Sequence, residues 1–342
     1  MAGDRVLVTG ARGFIAKQVI AELLRDGYSV RGTIRDAKAE AEVRAAVGGA
    51  VGNRAQFPDA LSFATADLLA DAGWAEAAAG CRYVIHLASP FPAVQPKDSA
   101  AIVRPAVDGT RRVLAAAKAA GVGRVVLTSS VVAVVSGRFD KELFDESDWS
   151  DTTFPRITPY QLSKTLAERA AWNFAREADL PLAVLNPAQV FGPPLDANLD
   201  TSGYIIASQL RGRFPAVANY GFPIVDVRDV ATAHVAALTN REALGQRIIL
   251  ADEFTWLIEI ARWLGEAFPA YRSKVPRRVL PNFVARLATP FVPELGTLRA
   301  DLGRPWPVTH AKAERIFGMR FRPAREAVIA MAEALIALRA VP

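Results

Sequence analysis

Cysteine and histidine are scarce in this chain of 342 residues. The single cysteine, Cys81, excludes a disulfide within the chain, and we expect it to be a small buried residue. The three histidines, His86, His234 and His310, lie far apart and show none of the spacings that bind zinc. The sequence therefore excludes a disulfide-stabilised domain and predicts no metal site.

Long apolar runs and runs of one charge are also missing. No stretch reaches the roughly 18 apolar residues that cross a bilayer, and the opening segment MAGDRVLVTG does not follow the plan of a signal peptide. We expect a cytoplasmic protein with no membrane partner. The formal charge is +6, but the basic residues form no cluster and do not alternate with aromatic residues. We therefore expect no nucleic-acid partner and interpret most basic residues as a solvated surface, with some lining a phosphate pocket.

What the sequence does contain is an alternation of apolar β-rich runs with amphipathic helical stretches, the pattern of a parallel sheet covered on both faces. It predicts strands at 5–9, 29–35, 61–66, 83–87, 124–129 and 183–186, and helices at 14–26, 100–120 and 159–178. The predicted fold class is a Rossmann-type, doubly wound α/β sheet.

The alternation of strands and helices ends after Pro187. The segment FGPP and a loop rich in Asp, Asn and Gly follow, and then a predicted helix near 203–211. A strand at 224–226, a helix at 230–238 and a strand at 247–250 then predict that the chain returns to the sheet. We expect a dinucleotide-binding domain of 1–186 plus 224–254. A smaller, discontinuous substrate-binding region would comprise 187–223 plus 255–342, in a monomer or a homodimer.

The first predicted strand runs directly into the glycine-bearing segment GARGFIA, which opens the first helix. Gly10 permits the tight turn, Gly13 lets the backbone approach a pyrophosphate, and Ala16 keeps the helix close to the sheet. The free N–H groups at the start of the helix would bind that anion. The residues predicted to bind a cofactor here are Thr9, Gly10, Arg12, Gly13, Phe14 and Ile15.

The end of the second strand, RGTIRD, distinguishes NADP from NAD. Arg35 lies where an NAD enzyme usually has a carboxylate for the ribose 2′-hydroxyl, and Arg12 stands in the glycine loop, so two guanidinium groups can reach a 2′-phosphate. We therefore expect NADP(H) to be preferred over NAD(H), although Asp36 keeps NAD open. Asp67 and Leu68 follow the third strand and are predicted near the adenine amine; a structural turn is the alternative for the aspartate.

Proton-transfer chemistry is indicated by YQLSK and by the strand end RVVLTSS. Tyr160 and Lys164 lie four residues apart on one helix face. A carbonyl that accepts a hydride must also receive a proton, which a phenol can supply if a nearby ammonium stabilises its anion. Ser130, at the carboxyl edge of the sheet, would hydrogen-bond the substrate carbonyl.

Taken together, TGARGFIA, RGTIRD, HLASP, LTSS, YQLSK and NPAQVFGP resemble the extended short-chain dehydrogenase/reductases over about residues 4–250. Within these, the chain resembles the branch of dihydroflavonol, cinnamoyl-CoA and methylglyoxal (carbonyl) reductases. The resemblance implies a catalytic triad of Ser130, Tyr160 and Lys164, where Ser130 is the second serine of its pair. It also implies cofactor contacts from Arg35, from Ala88 and Ser89, and from Pro187 to Val190.

Departures from the branch narrow the substrate. The segment ITP before Tyr160 has none of the NWYCY-like signature of cinnamoyl-CoA reductases, which counts against a CoA thioester. Val131 to Val135 contain no asparagine for flavonoid hydroxyls, and Ala106 replaces the asparagine that is frequent in sugar-nucleotide epimerases. The fourth catalytic group of the classical family members, an asparagine, cannot be placed in this sequence.

Apolar and aromatic residues dominate the predicted substrate pocket, which favours a hydrophobic ketone, aldehyde or keto ester. The predicted lining residues are Phe91, Val131, Val132, Gln189, Leu195, Tyr204 and Phe222. The expected activity is hydride transfer between NADPH and such a carbonyl or alcohol. The alternatives are an epimerase or dehydratase, a steroid-type alcohol dehydrogenase, and a non-catalytic dinucleotide sensor.

Overall fold

The computed structural model describes residues 3–52, 57–90, 98–289, 296 and 298–341. The strands are β1 (Arg5–Thr9), β2 (Ser29–Ile34), β3 (Leu61–Thr65), β4 (Tyr83–His86), β5 (Arg124–Thr128), β6 (Leu182–Pro187), β7 (Gln189–Phe191), β8 (Val217–Ala218), β9 (Gly221–Asp226), β10 (Arg247–Leu250), β11 (Phe254–Trp256) and β12 (Val279–Leu280). The α-helices are α1 (Phe14–Arg25), α2 (Ala39–Val51), α3 (Phe57–Ala60), α4 (Trp74–Ala78), α5 (Ala100–Ala119), α6 (Val132–Val135), α7 (Pro159–Glu177), α8 (Thr201–Leu210), α9 (Val227–Thr239), α10 (Leu257–Ala267), α11 (Asn282–Ala288), α12 (Ala311–Phe317) and α13 (Ala324–Ala337).

Seven parallel strands form the main sheet, in the order β10-β6-β5-β4-β1-β2-β3. The chain works outward from β1 in one direction to β3 and then crosses to β4 and works outward in the other. This order is that of a doubly wound dinucleotide-binding sheet, so the predicted fold class is confirmed. The reversal between β1 and β4 opens a crevice at the carboxyl ends of these two strands, where ligands bind in such sheets.

Helices cover both faces of the sheet, and successive side chains of a strand point to opposite faces. Both sets of strand side chains are therefore buried. In β1, Val6 and Val8 pack in a core shared with α1, α2 and α9, whereas Leu7 packs in a second core shared with α4, α5 and α7. The nearly continuous apolar strands of the sequence follow from this two-sided burial. Within the described residues, no helix is both long and apolar enough to span a membrane.

The predicted return of strand 224–226 to the main sheet is wrong. β9 instead pairs with β7 and β11 in a separate three-stranded sheet, and β10 alone brings the chain back to the edge of the main sheet, beside β6. The apolar pattern of a short strand predicts that the strand is buried, but it does not predict which strand it pairs with. Here the partners are β7, just after Pro187, and β11. The proposed division into two regions stays a prediction.

Candidate active site

The glycine loop between β1 and α1 is shaped by contacts with β2 and with the end of β4. Gly10 has φ +69, a left-handed conformation, and a Cβ added to it would lie 3.1 Å from the Cα of Ala88. The Gly10 amide donates to the hydroxyl of Thr33 (3.0 Å), and the Ala11 amide donates to its carbonyl (2.9 Å). A side chain at position 10 would therefore disturb both the turn and its approach to the crevice.

Thr9 is completely buried and joins the ends of β1 and β4. Its hydroxyl oxygen accepts the amides of Leu87 (3.0 Å) and Ala88 (2.9 Å) and lies 2.8 Å from Nδ1 of His86. With both lone pairs occupied, the hydroxyl proton is left for Nδ1, which places the imidazole proton on Nε2. Thr9 thus shapes the loop, and direct contact with a cofactor stays a prediction.

The start of α1 fits a pyrophosphate. Gly13 is the N-cap and makes no side-chain capping bond, and the first turn carries no acidic residue. A Cβ added to Gly13 would lie 3.3 Å from the Gly10 carbonyl oxygen. Phe14 and Ile15 follow, with partly buried side chains packed on the core. Uncapped amides at the positive end of a helix are the donor set that an anionic phosphate group requires.

The two arginines predicted for a 2′-phosphate differ in their surroundings. Arg35 is exposed just past β2, and no hydrogen bond or ion pair joins it to another described residue. Arg12 is 55% exposed and pairs with Glu42 on α2 at 2.9 Å, and Glu42 also accepts a hydrogen bond from Asn198. The Asp36 carboxylate accepts the Lys38 amide (3.0 Å) and so stabilises a turn.

The other residues predicted to bind the cofactor occupy three positions around the crevice. Asp67 accepts the Leu69 amide (2.9 Å), the geometry of a turn aspartate, and Leu68 packs against Gly109. Ala88 and Ser89 line a cavity at the end of β4. Pro187 is the last residue of β6, and its carbonyl accepts the Val131 amide (3.0 Å); Val190 is buried in β7.

Helix α7 begins where it does because Thr158 and Gln161 form a capping box and Pro159 occupies the first turn. This start places Tyr160 in the first turn and Lys164 one turn later. The Ser130 hydroxyl lies close enough to the Tyr160 phenol to lower the pKa of that phenol. The Lys164 ammonium donates to the carbonyl of Thr128 at 3.4 Å. The structure thus brings all three predicted catalytic residues together at the carboxyl ends of β4 and β5.

Burial shifts the pKa values of the phenol and the ammonium in opposite directions. It raises the pKa of Tyr160 to about 12, against a smaller lowering by the Ser130 hydrogen bond. It lowers the pKa of Lys164 to about 8, against a smaller raising by the Glu168 carboxylate. The phenol therefore keeps its proton at neutral pH, and the ammonium is mostly charged but close to its titration point.

The two adjacent serines have different partners. Ser129 is buried and donates to Oε2 of Glu168 at 2.5 Å, so its hydroxyl points away from Tyr160. Ser130 is partly exposed and is the serine that reaches the phenol. A small cavity of about 20 Å³, enough for one water molecule, lies beside Lys164. Its polar lining is formed by His86, Ser89, Thr110, Thr128, Ser129, Lys164 and Glu168.

The residues predicted for the substrate pocket are spread over different environments. Phe91 lies outside the described residues, and Val132 and Leu195 are partly exposed. Val131 and Phe222 are core side chains, 2% and 4% exposed. Gln189 donates to the Ser202 hydroxyl at 2.7 Å, and Tyr204 lies at the surface with the Arg213 guanidinium 5.3 Å from its ring centre. Contact of any of them with a substrate stays a prediction.

Four polar residues of the site were not identified from the sequence. Thr33 anchors the glycine loop, His86 lines the cavity, and Asn186 and Glu168 hydrogen-bond each other beneath Ser130. Glu168 had a signal in helical spacing, because it lies four residues after Lys164 in YQLSKTLAE and therefore shares its helix face. Thr33, His86 and Asn186 lie in RGTIRD, HLASP and NPAQVFGP, but these segments did not indicate the contacts of their side chains.

The family model of the NAD dependent epimerase/dehydratase family matches residues 6–251. Cinnamoyl-CoA reductase 1 of Arabidopsis thaliana is 39% identical over 276 residues, which is 79% of this chain and 76% of the relative. Tetraketide alpha-pyrone reductase 1 of the same plant is 33% identical, over 81% and 84% of the two chains. The crystal structure of the yeast methylglyoxal/isovaleraldehyde reductase Gre2 complexed with NADPH covers 98% of this chain and 99% of its own, with TM-score 0.79 and 28% identity.

These matches define a class of enzyme. The chain belongs to the NAD dependent epimerase/dehydratase family, the extended short-chain dehydrogenase/reductases. The predicted family and its reductase branch are confirmed, since the similar proteins include cinnamoyl-CoA, pyrone and methylglyoxal reductases.

Proposed function

We propose that this protein reduces a small hydrophobic ketone or aldehyde with NADPH, using Ser130, Tyr160 and Lys164. The observation that carries the proposal is the convergence of these side chains where the crevice between β1 and β4 also presents the glycine loop. The enzyme class and the cofactor do not depend on the identity of the substrate. The chain is an oxidoreductase of the short-chain dehydrogenase/reductase type, and its cofactor is NADP(H), as in the yeast reductase complexed with NADPH.

Each polar group has a role in carbonyl reduction. NADPH, when bound, supplies the hydride. The hydroxyls of Ser130 and Tyr160 would both face the substrate oxygen, which develops negative charge as the carbonyl carbon is reduced. Tyr160 is protonated at neutral pH and donates its proton to that oxygen. The charged Lys164 lowers the cost of the phenolate that remains and lies beside the cavity through which a proton can be returned.

At the adenosine end, Arg35 is the residue that we assign to the 2′-phosphate. It is exposed at the end of β2 and is held by no carboxylate among the described residues. Arg12 supports the same site but is shared with Glu42. The polar cavity beside Lys164 is small, and the neighbouring predicted pocket residues carry no charge, which favours an uncharged substrate.

The test is NADPH and NADH oxidation by the purified protein, followed at 340 nm against aryl ketones, keto esters, aldehydes and methylglyoxal. We expect NADPH-dependent turnover that falls by about 10³-fold in Tyr160→Phe, because the proton donor is removed, with NADPH binding unchanged. The matched control is Tyr220→Phe, at a partly buried tyrosine outside the proposed catalytic residues, which should keep its activity. Full activity of Tyr160→Phe would refute the mechanism.

A second candidate substrate is a CoA thioester, favoured by the 39% identity with a cinnamoyl-CoA reductase. Reduction of a thioester consumes NADPH and releases an aldehyde and a free thiol, whereas ketone reduction releases no thiol. Cinnamoyl-CoA therefore belongs in the panel, with a thiol-specific reagent as the second readout. An epimerase would instead bind its cofactor tightly and consume no net NADPH.

A further inference from the structure

Glu168 is a charged residue enclosed beneath the candidate site. Its side chain is 1% exposed, on α7, one helical turn beyond Lys164. A carboxylate is almost never buried to this extent unless its charge is compensated, because removing it from water is costly. Its surroundings therefore indicate what it does.

Each carboxylate oxygen of Glu168 accepts two hydrogen bonds. Oε2 accepts from the Ser129 hydroxyl (2.5 Å) and the Asn186 amide (2.8 Å). Oε1 accepts from Nε of Arg247 (2.5 Å) and the indole of Trp172 (3.3 Å). Four donors, one of them a guanidinium, stabilise the ionised form.

Two of these partners lead directly to the catalytic serine. Ser129 precedes Ser130 in the chain, and the Asn186 amide also donates to the Ser130 carbonyl at 3.1 Å. The carboxylate thus connects α7 to the ends of β5 and β6. A change at Glu168 would reach the segment that presents the Ser130 hydroxyl.

The carboxylate also acts on Lys164. Both residues line the same small cavity, and the Glu168 charge opposes the effect of burial on the pKa of Lys164. The groups that face this cavity from the packed elements are the imidazole of His86 on β4, the uncharged Ala106 and Thr110 on α5, and Thr128 with Ser129 at the end of β5. Burial lowers the pKa of His86 to about 3, so that imidazole is neutral.

We propose that Glu168 is a positioning residue, a buried carboxylate that keeps the Lys164 ammonium charged and fixes the segment carrying Ser130. This proposal rests on the proposed function, since it assigns Glu168 a role in the same proton-transfer site. The alternative is a purely structural ion pair in which Glu168 and Arg247 only hold β10 against α7.

Two variants that break the same ion pair distinguish these roles. Glu168→Gln removes the negative charge near Lys164, whereas Arg247→Met keeps it and removes the cation that balances it. A structural pair would lose stability in both cases without opposite effects on Lys164. A charge effect must move the pKa of Lys164 down in the first variant and up in the second.

The measurement is a ¹³C NMR titration of the full chain containing [ε-¹³C]lysine, with the Lys164 signal assigned by its loss in Lys164→Arg. We expect Glu168→Gln to lower the pKa of Lys164 by about 1 pH unit and Arg247→Met to raise it by less, because Arg247 acts from beyond Glu168. Glu168→Asp, which keeps the charge, should leave the pKa nearer that of the unaltered protein than Glu168→Gln does. Shifts of both variants in the same direction, or no shift, would overturn the proposal.

Folding of the variants needs its own control, because Glu168→Gln leaves the Arg247 guanidinium buried without its counter-charge, which is destabilising. The double variant Glu168→Gln/Arg247→Met removes both charges and must still lower the pKa of Lys164. If both the single variant Glu168→Gln and the double variant fail to fold, Arg247→Met alone decides. An unshifted or lowered pKa of Lys164 in Arg247→Met then overturns the proposal. The titration needs no turnover, so it stands apart from the Tyr160→Phe result, which tests the proposed function.

Discussion

The adenosine end and the catalytic end of the crevice use charge in different ways. At the proposed adenosine end, Arg12 and Arg35 are exposed, and Arg12 forms an ion pair with Glu42. At the proposed catalytic end, Lys164 is only partly exposed and lies beside the buried Glu168. Exposed charges act by attracting a ligand and are screened by salt, whereas enclosed charges act by shifting the protonation of their neighbours. The comparison predicts which variants alter binding and which alter catalysis.

The largest contrast is expected from Arg35→Ala. Loss of a charge-assisted contact should weaken NADPH binding by about 10- to 100-fold and leave NADH binding nearly unchanged, because NADH has no 2′-phosphate. Fluorescence titration of both cofactors measures this, and Lys38→Ala, another exposed cation nearby, is the control. An equal loss for both cofactors would mean that Arg35 does not contact the 2′-phosphate.

The catalytic end should respond to pH instead. The pKa of Lys164 is lowered to about 8 by burial. In the proposed mechanism, the charged form is the one that assists Tyr160. The ammonium is therefore present below pH 8 and is lost above it, so kcat/KM for reduction should be constant below pH 8 and fall about tenfold per unit above it. A rate profile from pH 6 to 10 at two salt concentrations checks this. A limb that moves strongly with salt would place the titrating group at the surface.

The smallest effect is expected from Glu42→Gln. The variant removes the carboxylate that pairs with Arg12 at 2.9 Å and so leaves that guanidinium free for a phosphate. Because exposed ion pairs contribute only about 0.2–1 kcal/mol, NADPH binding should tighten by no more than about fivefold. Weaker NADPH binding would show instead that Glu42 holds Arg12 in its binding position. The same titration in high salt should remove the difference.

The same division separates what could be predicted from what could not. The glycine loop and the Tyr160–Lys164 pair are short motifs whose spacing alone carries the geometry of a turn or a helix face. Thr33 stands in RGTIRD and Asn186 in NPAQVFGP, but the spacing of these segments does not indicate what the two side chains contact. Their partners, Gly10 and Ser130, lie 23 and 56 residues away in the chain, so no local pattern connects them.

The strand at 224–226 illustrates the same difficulty at the level of the fold. Its apolar residues predicted a buried strand, and β9 is buried throughout. Its partners are β7 and β11, which lie outside the main sheet. The apolar pattern of a strand does not contain this information, because the pairing depends on which other strands the fold brings beside it. The same applies to the predicted pocket residue Phe222. Its apolar side chain suits a pocket or a core equally, and here it packs on Phe191 with 6.0 Å between ring centres as a core residue.

The amino-acid sequence by itself determined the parallel sheet, the turn at Gly10 and the helix face that carries Tyr160 and Lys164, because hydrophobic period, glycine conformation and helical spacing are local properties. The family resemblance selected Ser130, and helical spacing places Glu168 on the helix face of Lys164. Only the tertiary structure decided that the Ser129 hydroxyl points to Glu168 and that Glu168 is buried among partners from other strands. Ser129 is turned away by Glu168, and Glu168 is held by Arg247 from a strand 79 residues later. Burial makes such contacts selective, because an enclosed charge must find its partners wherever the fold brings them.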